Sequence, residues 1–407
     1  MSKFLRIIST TLLVLVFQLL MIACEDDSQD VIADPCNPAG AAGELLTVTP
    51  FGIPFTTQQV QTFLMAYGAP MGLELKYAID AYKITYQTRD ILGELTTASG
   101  VIFIPQGIDT LDLLSTQHGT TIKRDEVGSV NPVYAIDGII AAMNGYIVAA
   151  PDYLGLGSSG GIHPYLHAEL SANAVVDMIR ATKAYACQAE IMLTDRLFLA
   201  GYSEGGFVTL ATHKAMESEY SDEFQPTAVA PMAGPYDLLT STRSILNRSR
   251  YNNPFYLALT IVSYNDIYGW DRLDEIFQEP YASRIPGLFD GSYGGGDIND
   301  SLTTYIDSLF TAEFKTSFLA GEETAIEAAL TENSPLNWGP IAPVRLFHGT
   351  KDSTVYYDNS LTAYESMQSN GGLSVDLVSL LGADHGSAVL PAYYLAINWF
   401  DSLRIED

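Results

Sequence analysis

An α/β architecture is the expectation for this 407-residue chain: a mainly parallel sheet flanked by helices, with an inserted, mostly helical cap. Short apolar runs of strand length alternate with helix-period patterns, which implies parallel strands with helices on both faces. Two β-rich runs come first, 81–88 (AYKITYQT) and 97–105 (TASGVIFIP), and the turn-like DILGE between them makes a hairpin. The strand runs that follow are 111–117, 146–150, 196–200, 227–232, 344–347 and 375–381; helical patterns occupy 169–186, 207–218 and 360–368. Between about 238 and 338 there are aromatic clusters, Gly-rich loops and helical stretches, but no strand pattern. That segment reads as the cap, inserted over the sheet edge.

Composition bounds the function. The chain is 47% hydrophobic, long enough for a large core, and carries a net charge of −28. Nucleic acid is excluded as a partner, because phosphate binding needs clustered Lys and Arg. The acidity is read as solubility. Lys3 and Arg6 precede an apolar run, 7–22, that ends in Met-Ile-Ala-Cys at 21–24, followed by Glu25, Asp26 and Asp27. This resembles a bacterial lipoprotein signal, with Met21 in place of the usual Leu and Cys24 as the lipidated first residue after cleavage. Residues 1–23 are then a signal peptide, 24–45 an acidic tether and 46–407 the folded domain. The implied location is the cell envelope, as an outer-membrane or cell-surface lipoprotein held to the membrane by its lipid. An ordinary secretory signal, with a secreted or periplasmic product, is the alternative. Cys36 and Cys187 would remain, and an oxidising envelope would allow them to pair.

The chemistry centres on FLAGYSEGGF, 198–207, which contains G-x-S-x-G around Ser203. The pattern alone is weak, and the chain holds a second match around Ser159. Context separates them. Ser203 follows an apolar run directly and is followed by a helical pattern, the strand–turn–helix setting of a nucleophile elbow. Ser159 lies well past the end of its strand, near Pro151, and is followed by His163-Pro164.

A serine hydroxyl needs a base, and the base needs a carboxylate to hold its tautomer. His348 and His385 are the histidines downstream of the cap. His385 is preferred because LLGADHGSA is a small-residue loop after the last strand run, whereas His348 in LFHGTKD reads as a packed strand-end histidine. Asp352, 33 residues before His385, is the expected acid; Asp237 is its rival, with Asp358 and Asp384 weaker. The expected oxyanion donors are the backbone amide of Glu204 and an amide from the loop Gln117-His118-Gly119-Thr120, at Gly119 or Thr120. The His118 side chain either contacts substrate or buttresses that loop.

The segments TTASGVIFIP, STQHGTT, VAAPDYLGLGSSGGIHPYLHAELSANAVVDMIRA, LAGYSEGGF, HGTKD and GADHG resemble, in that order, the secretory lipase-like α/β-hydrolases. The resemblance runs from about 81 to the C-terminus and is least in the cap. It implies hydrolysis of a small-molecule ester or lipid by Ser203, Asp352 and His385 through an acyl-enzyme, with no cofactor. It also implies that Asp152 and Tyr153 line the site, although a buried Asp and a packing Tyr are equally compatible with the sequence. No zinc-ligand cluster or phosphate-binding glycine motif is present, and the acidic loop 290–300 lacks EF-hand spacing, so no metal is expected. The cap aromatics Phe255, Tyr256, Tyr264, Tyr268, Trp270, Phe277, Tyr281 and Phe289 suit an acyl or aryl group, although helix packing accounts for most of them. Two other functions fit the same residues. One is a serine peptidase of the dipeptidyl or prolyl type, with Glu275 and Glu279 able to meet a peptide N-terminus. The other is a non-catalytic surface binding protein.

Overall fold

Nine strands form one sheet in the order β1-β2-β3-β5-β4-β6-β7-β8-β9. A computed structural model describes residues 36–66 and 75–404. The chain divides into two units, 1–39 and 40–407, and the sheet belongs to the second. The expected signal peptide, Cys24 and the first part of the tether lie outside the described residues.

The strands are β1 (Leu45–Pro50), β2 (Ile79–Arg89), β3 (Leu95–Pro105), β4 (Thr110–Gln117), β5 (Tyr146–Pro151), β6 (Met192–Tyr202), β7 (Ala228–Met232), β8 (Val344–Gly349) and β9 (Val375–Leu380). The β1–β2, β2–β3 and β3–β5 pairs are antiparallel, and every pair from β5–β4 across to β8–β9 is parallel. Helices α1 (Thr57–Ala66), α2 (Ile136–Met143), α3 (Ala168–Gln188) and α4 (Glu204–Ser218) precede β7. Between β7 and β8 come α5 (Leu238–Leu246), α6 (Pro254–Ile267), α7 (Leu273–Ile276), α8 (Tyr281–Leu288), α9 (Gly295–Ser301), α10 (Ile306–Leu309), α11 (Ala312–Ala320) and α12 (Thr324–Glu332). The chain closes with α13 (Asp358–Ser369) and α14 (Val389–Arg404).

Strands β5 and β7 are apolar and buried at every position because both faces of a parallel sheet are covered by helices, and β4 is buried at all but its first residue. Their alternation still sorts the side chains into two cores. Leu113, Ile147, Leu199, Val229 and Leu346 face the core shared with α3 and α4. Their neighbours Leu114, Val148, Phe198, Ala228 and Phe347 face the core shared with α2 and α14.

The cap helices are continuous with the first of these cores: Phe255, Leu257, Tyr264, Phe277 and Phe289 belong to the same buried cluster as the sheet. Helix α6 is buried along nearly its whole length, which explains its lack of a polar face. The structure adds β1, which pairs with β2 and starts where the tether is expected to end. Cys36 and Cys187 are both disulfide-bonded.

Candidate active site

Strand β6 ends at Tyr202 and α4 begins at Glu204, so Ser203 alone makes the turn between them. It does so at φ 61°, ψ −123°, a sparsely populated conformation for a residue with a side chain. The turn is tight enough that Gly205 and Gly206 have no room for a Cβ. One would collide with the carbonyl of Gln117 at the end of β4, the other with the carbonyl of Met232 at the end of β7. Both obstacles are backbone and cannot rotate away. The variant Gly205→Ala is therefore expected to lose about 3 kcal/mol or more of stability, read as a lower denaturant midpoint; an unchanged midpoint would mean that the elbow is not this close-packed.

The hydroxyl of Ser203 lies 3.0 Å from Nε2 of His385, and Nδ1 of His385 lies 2.5 Å from Oδ2 of Asp352. A carboxylate only accepts, so Nδ1 carries the proton and Nε2 presents its lone pair to the serine hydroxyl. Asp352 sits in the loop after β8, where its Oδ1 also accepts from the amides of Thr354 (2.9 Å) and Val355 (3.0 Å). Burial acts to raise its pKa, but hydrogen bonds and charge from His348 and His385 outweigh that and hold it at about 2.

The residues weighed as alternatives lie elsewhere or do other work. His348 is buried on the far side of Asp352, with Nε2 3.2 Å from Oδ2 and 2.9 Å from the Val355 carbonyl, while Ser360 donates to its Nδ1 at 2.7 Å. It steadies the acid. Asp237 caps α5 by accepting from the Thr240 amide, and Asp384 accepts from Ser387 in its own loop. Asp358 opens α13. Ser159 is buried, and among the described residues its hydroxyl has no histidine or carboxylate partner.

Of the expected oxyanion donors, Glu204 and Gly119 lie beside the serine. The amide of Glu204 is the first of α4 and so has no partner within the helix. Gly119 is close enough that a Cβ on it would lie 3.7 Å from the Ser203 Cβ. Thr120 is tied through its hydroxyl to Tyr165 at 3.1 Å. The amides of Gly119 and Thr120 make no backbone hydrogen bond among the described residues.

The residues expected to meet substrate behave differently. Asp152 is buried, accepting from Ser99 Oγ (2.6 Å) and from the Ser129 amide (3.1 Å). Tyr153 is buried with its hydroxyl on the His118 carbonyl at 3.0 Å. His118 places its ring nitrogens on the carbonyls of Gly119 and Asp152. All three are tied together behind the loop at Gly119 and Thr120, and none lines the cavity at Ser203.

That cavity has a volume of about 650 Å³ including its open mouth. Its walls are largely apolar and come from the cap, through Leu238, Ile245, Leu257 and Leu330, with Tyr165, Tyr251 and Tyr256 adding hydroxyls. A second apolar pocket, a narrow one with a free volume of about 10 Å³, shares Thr242, Leu257, Thr260 and Leu330 with it and is lined further by Tyr264, Trp270, Phe314 and Phe318. Of the aromatics singled out in the sequence, Tyr256 lines the first cavity and Tyr264 and Trp270 the second; Phe255, Phe277 and Phe289 are core packing. Tyr165 and Tyr251 were not signalled, since nothing in local spacing marks them. Among the described residues no cluster of His, Cys, Asp or Glu is arranged to hold a metal.

Sheet order, elbow and cap define an α/β-hydrolase. A solved structure from Legionella pneumophila superposes with a TM-score of 0.83 at 29% identity, covering 89% of this chain and 99% of that one. The rice cell wall degrading esterase LipA of Xanthomonas oryzae superposes at 0.77 and 29% identity, covering 90% and 98%. Lipase A of Candida antarctica in its closed state shares the fold, at 0.64 and 16% identity over 91% and 86%. The chain belongs to the secretory lipase family, whose model matches residues 136–405. Lipase 10 of Candida albicans is 22% identical over 268 residues, 64% of this chain and 55% of that lipase, so this chain spans about half the length of that curated relative.

Proposed function

We propose that the protein is a serine esterase or lipase that cleaves carboxylic esters bearing an apolar acyl group. The observation that carries this reading is the hydrogen-bonded series Ser203–His385–Asp352, whose serine opens onto a largely apolar cavity. His385 takes the proton from Ser203 as its oxygen attacks the ester carbonyl, and Asp352 stabilises the imidazolium that forms. The amides of Glu204 and of Gly119 or Thr120 meet the developing oxyanion. Collapse expels the alcohol, which receives its proton from His385. Water, deprotonated by the same histidine, then releases the acid from the acyl-enzyme.

The cap gives no support to a peptidase. Glu275 is paired with Arg272 and Glu279 accepts from Ser283, and neither lines the cavity. Lipidation at Cys24 rests on the sequence motif, and the two disulfide-bonded cysteines fit an exported protein in an oxidising compartment.

The acyl chain is assigned to the cap cavities, whose shared wall includes Thr260 on α6. A panel of p-nitrophenyl esters from acetyl to decanoyl, set beside dipeptidyl amides, tests the reading. Esters should be turned over and the amides not. Thr260→Phe should lower kcat/KM for decanoyl ester by about tenfold or more while sparing the acetyl ester. Equal loss for both chain lengths would place the acyl group elsewhere, and preferential amide cleavage would sink the esterase reading.

A further inference from the structure

Two amides on different elements have to face one oxyanion, and a small misplacement of either weakens it. Behind them lies a stack of three rings. Tyr153, held at φ 69°, packs its ring against His118 at 4.2 Å on one side and His163 at 5.8 Å on the other. Its hydroxyl donates to the His118 carbonyl at 3.0 Å. That carbonyl and the amide of Gly119 belong to one planar peptide group, so a donor on the oxygen fixes the plane of the N–H and polarises it.

The other end of the stack reaches the second amide. His163 donates from Nδ1 to the Leu154 carbonyl at 2.9 Å, which leaves Nε2 facing Oε1 of Glu204 at 2.6 Å with a proton between them. The side chains are 3% and 0% exposed. Burial acts to lower the His163 pKa, yet the Glu204 charge and hydrogen bond raise it overall, which favours an ion pair. Glu204 is the residue whose own amide follows the nucleophile.

We infer that Tyr153, His163 and the Glu204 side chain form a brace that positions the Gly119 and Glu204 amides for the oxyanion. All three side chains are positioning residues, and the loop that carries the second, inert G-x-S-x-G is what delivers His163. The inference rests on the hydrolase reading above.

Tyr153→Phe keeps the ring and removes the hydroxyl. It should lower kcat about tenfold with KM changed by less than about twofold and with an unchanged melting temperature. Affinity for an alkyl boronic acid, which forms a tetrahedral adduct on the serine, should fall by the same factor as kcat/KM, while inhibition by the free carboxylic acid product should not move. Glu204→Gln, which retains a hydrogen bond to Nε2, should lose less kcat than Glu204→Ala. Full kcat in both Tyr153→Phe and Glu204→Ala, or a fall in kcat with undiminished boronate affinity, would overturn the brace. Failure of the unaltered protein to form a fluorophosphonate adduct on Ser203 would overturn the hydrolase reading itself.

Discussion

Ser203→Ala is expected to lower kcat for ester hydrolysis by about a millionfold while leaving a folded protein. The hydroxyl is the atom that would form the acyl bond, and no neighbouring group can substitute for it. Among the described residues, the His385 ring bonds to the Ser203 hydroxyl at 3.0 Å and to the Asp352 carboxylate, and no other hydroxyl or thiol is hydrogen-bonded to its Nε2. Folding should survive because, among the described residues, the serine side chain makes no hydrogen bond beyond that one to His385. Alanine inherits the same strained φ of 61° and removes one oxygen. The residual rate should come from the oxyanion amides and the cavity, which still bind and polarise the ester. Turnover of p-nitrophenyl butyrate, circular dichroism and labelling by a fluorophosphonate read the three parts separately. Undiminished turnover in a folded variant would remove Ser203 from the mechanism.

What was legible in the sequence had a local signature. Central strands buried on both faces appear as continuous apolar runs, as in β5 and β7, and six residues of β5 have no exposed member. The elbow was legible because its chemistry and its fold coincide: strand, one serine, helix, with glycines where backbones touch. Strand β1 was not, since it lies at the sheet edge and buries one residue of six, leaving no alternation to read. His348 and His385 both end near the acid, and only tertiary placement shows one behind Asp352 and the other in front. Tyr153 and Asp152 sit beside the site in sequence-derived order but point into the protein. Their turn is set by a positive φ at Tyr153, which residue type does not announce. The cap cavity depends on how eight short helices rotate against one another, and an aromatic list carries no information about rotation.

Asp352→Asn should lower kcat about 10,000-fold, the size of effect seen when a triad carboxylate becomes an amide elsewhere. Every group around this carboxylate is a donor: the amides of Thr354 and Val355, Nε2 of His348 and Nδ1 of His385. An asparagine brings an NH2 into that ring, and wherever it points it meets another donor. Turned toward His385, it favours the tautomer with the proton on Nε2, and the lone pair that should receive the Ser203 proton is gone. Turned toward the loop, it opposes two backbone amides and loosens the turn after β8. Stability should therefore fall as well, and its pH dependence identifies the cause. Because the folded-state pKa of Asp352 is depressed to about 2 from an ordinary value of 3.8, its stabilising contribution is present above about pH 4 and is lost as pH falls through 2. Denaturant midpoints measured from pH 6 downward should show the wild-type protein losing stability across that window and Asp352→Asn, already weaker at pH 6, losing less. A variant that tracks the wild-type slope would mean that the carboxylate is not held in its charged form by these four donors.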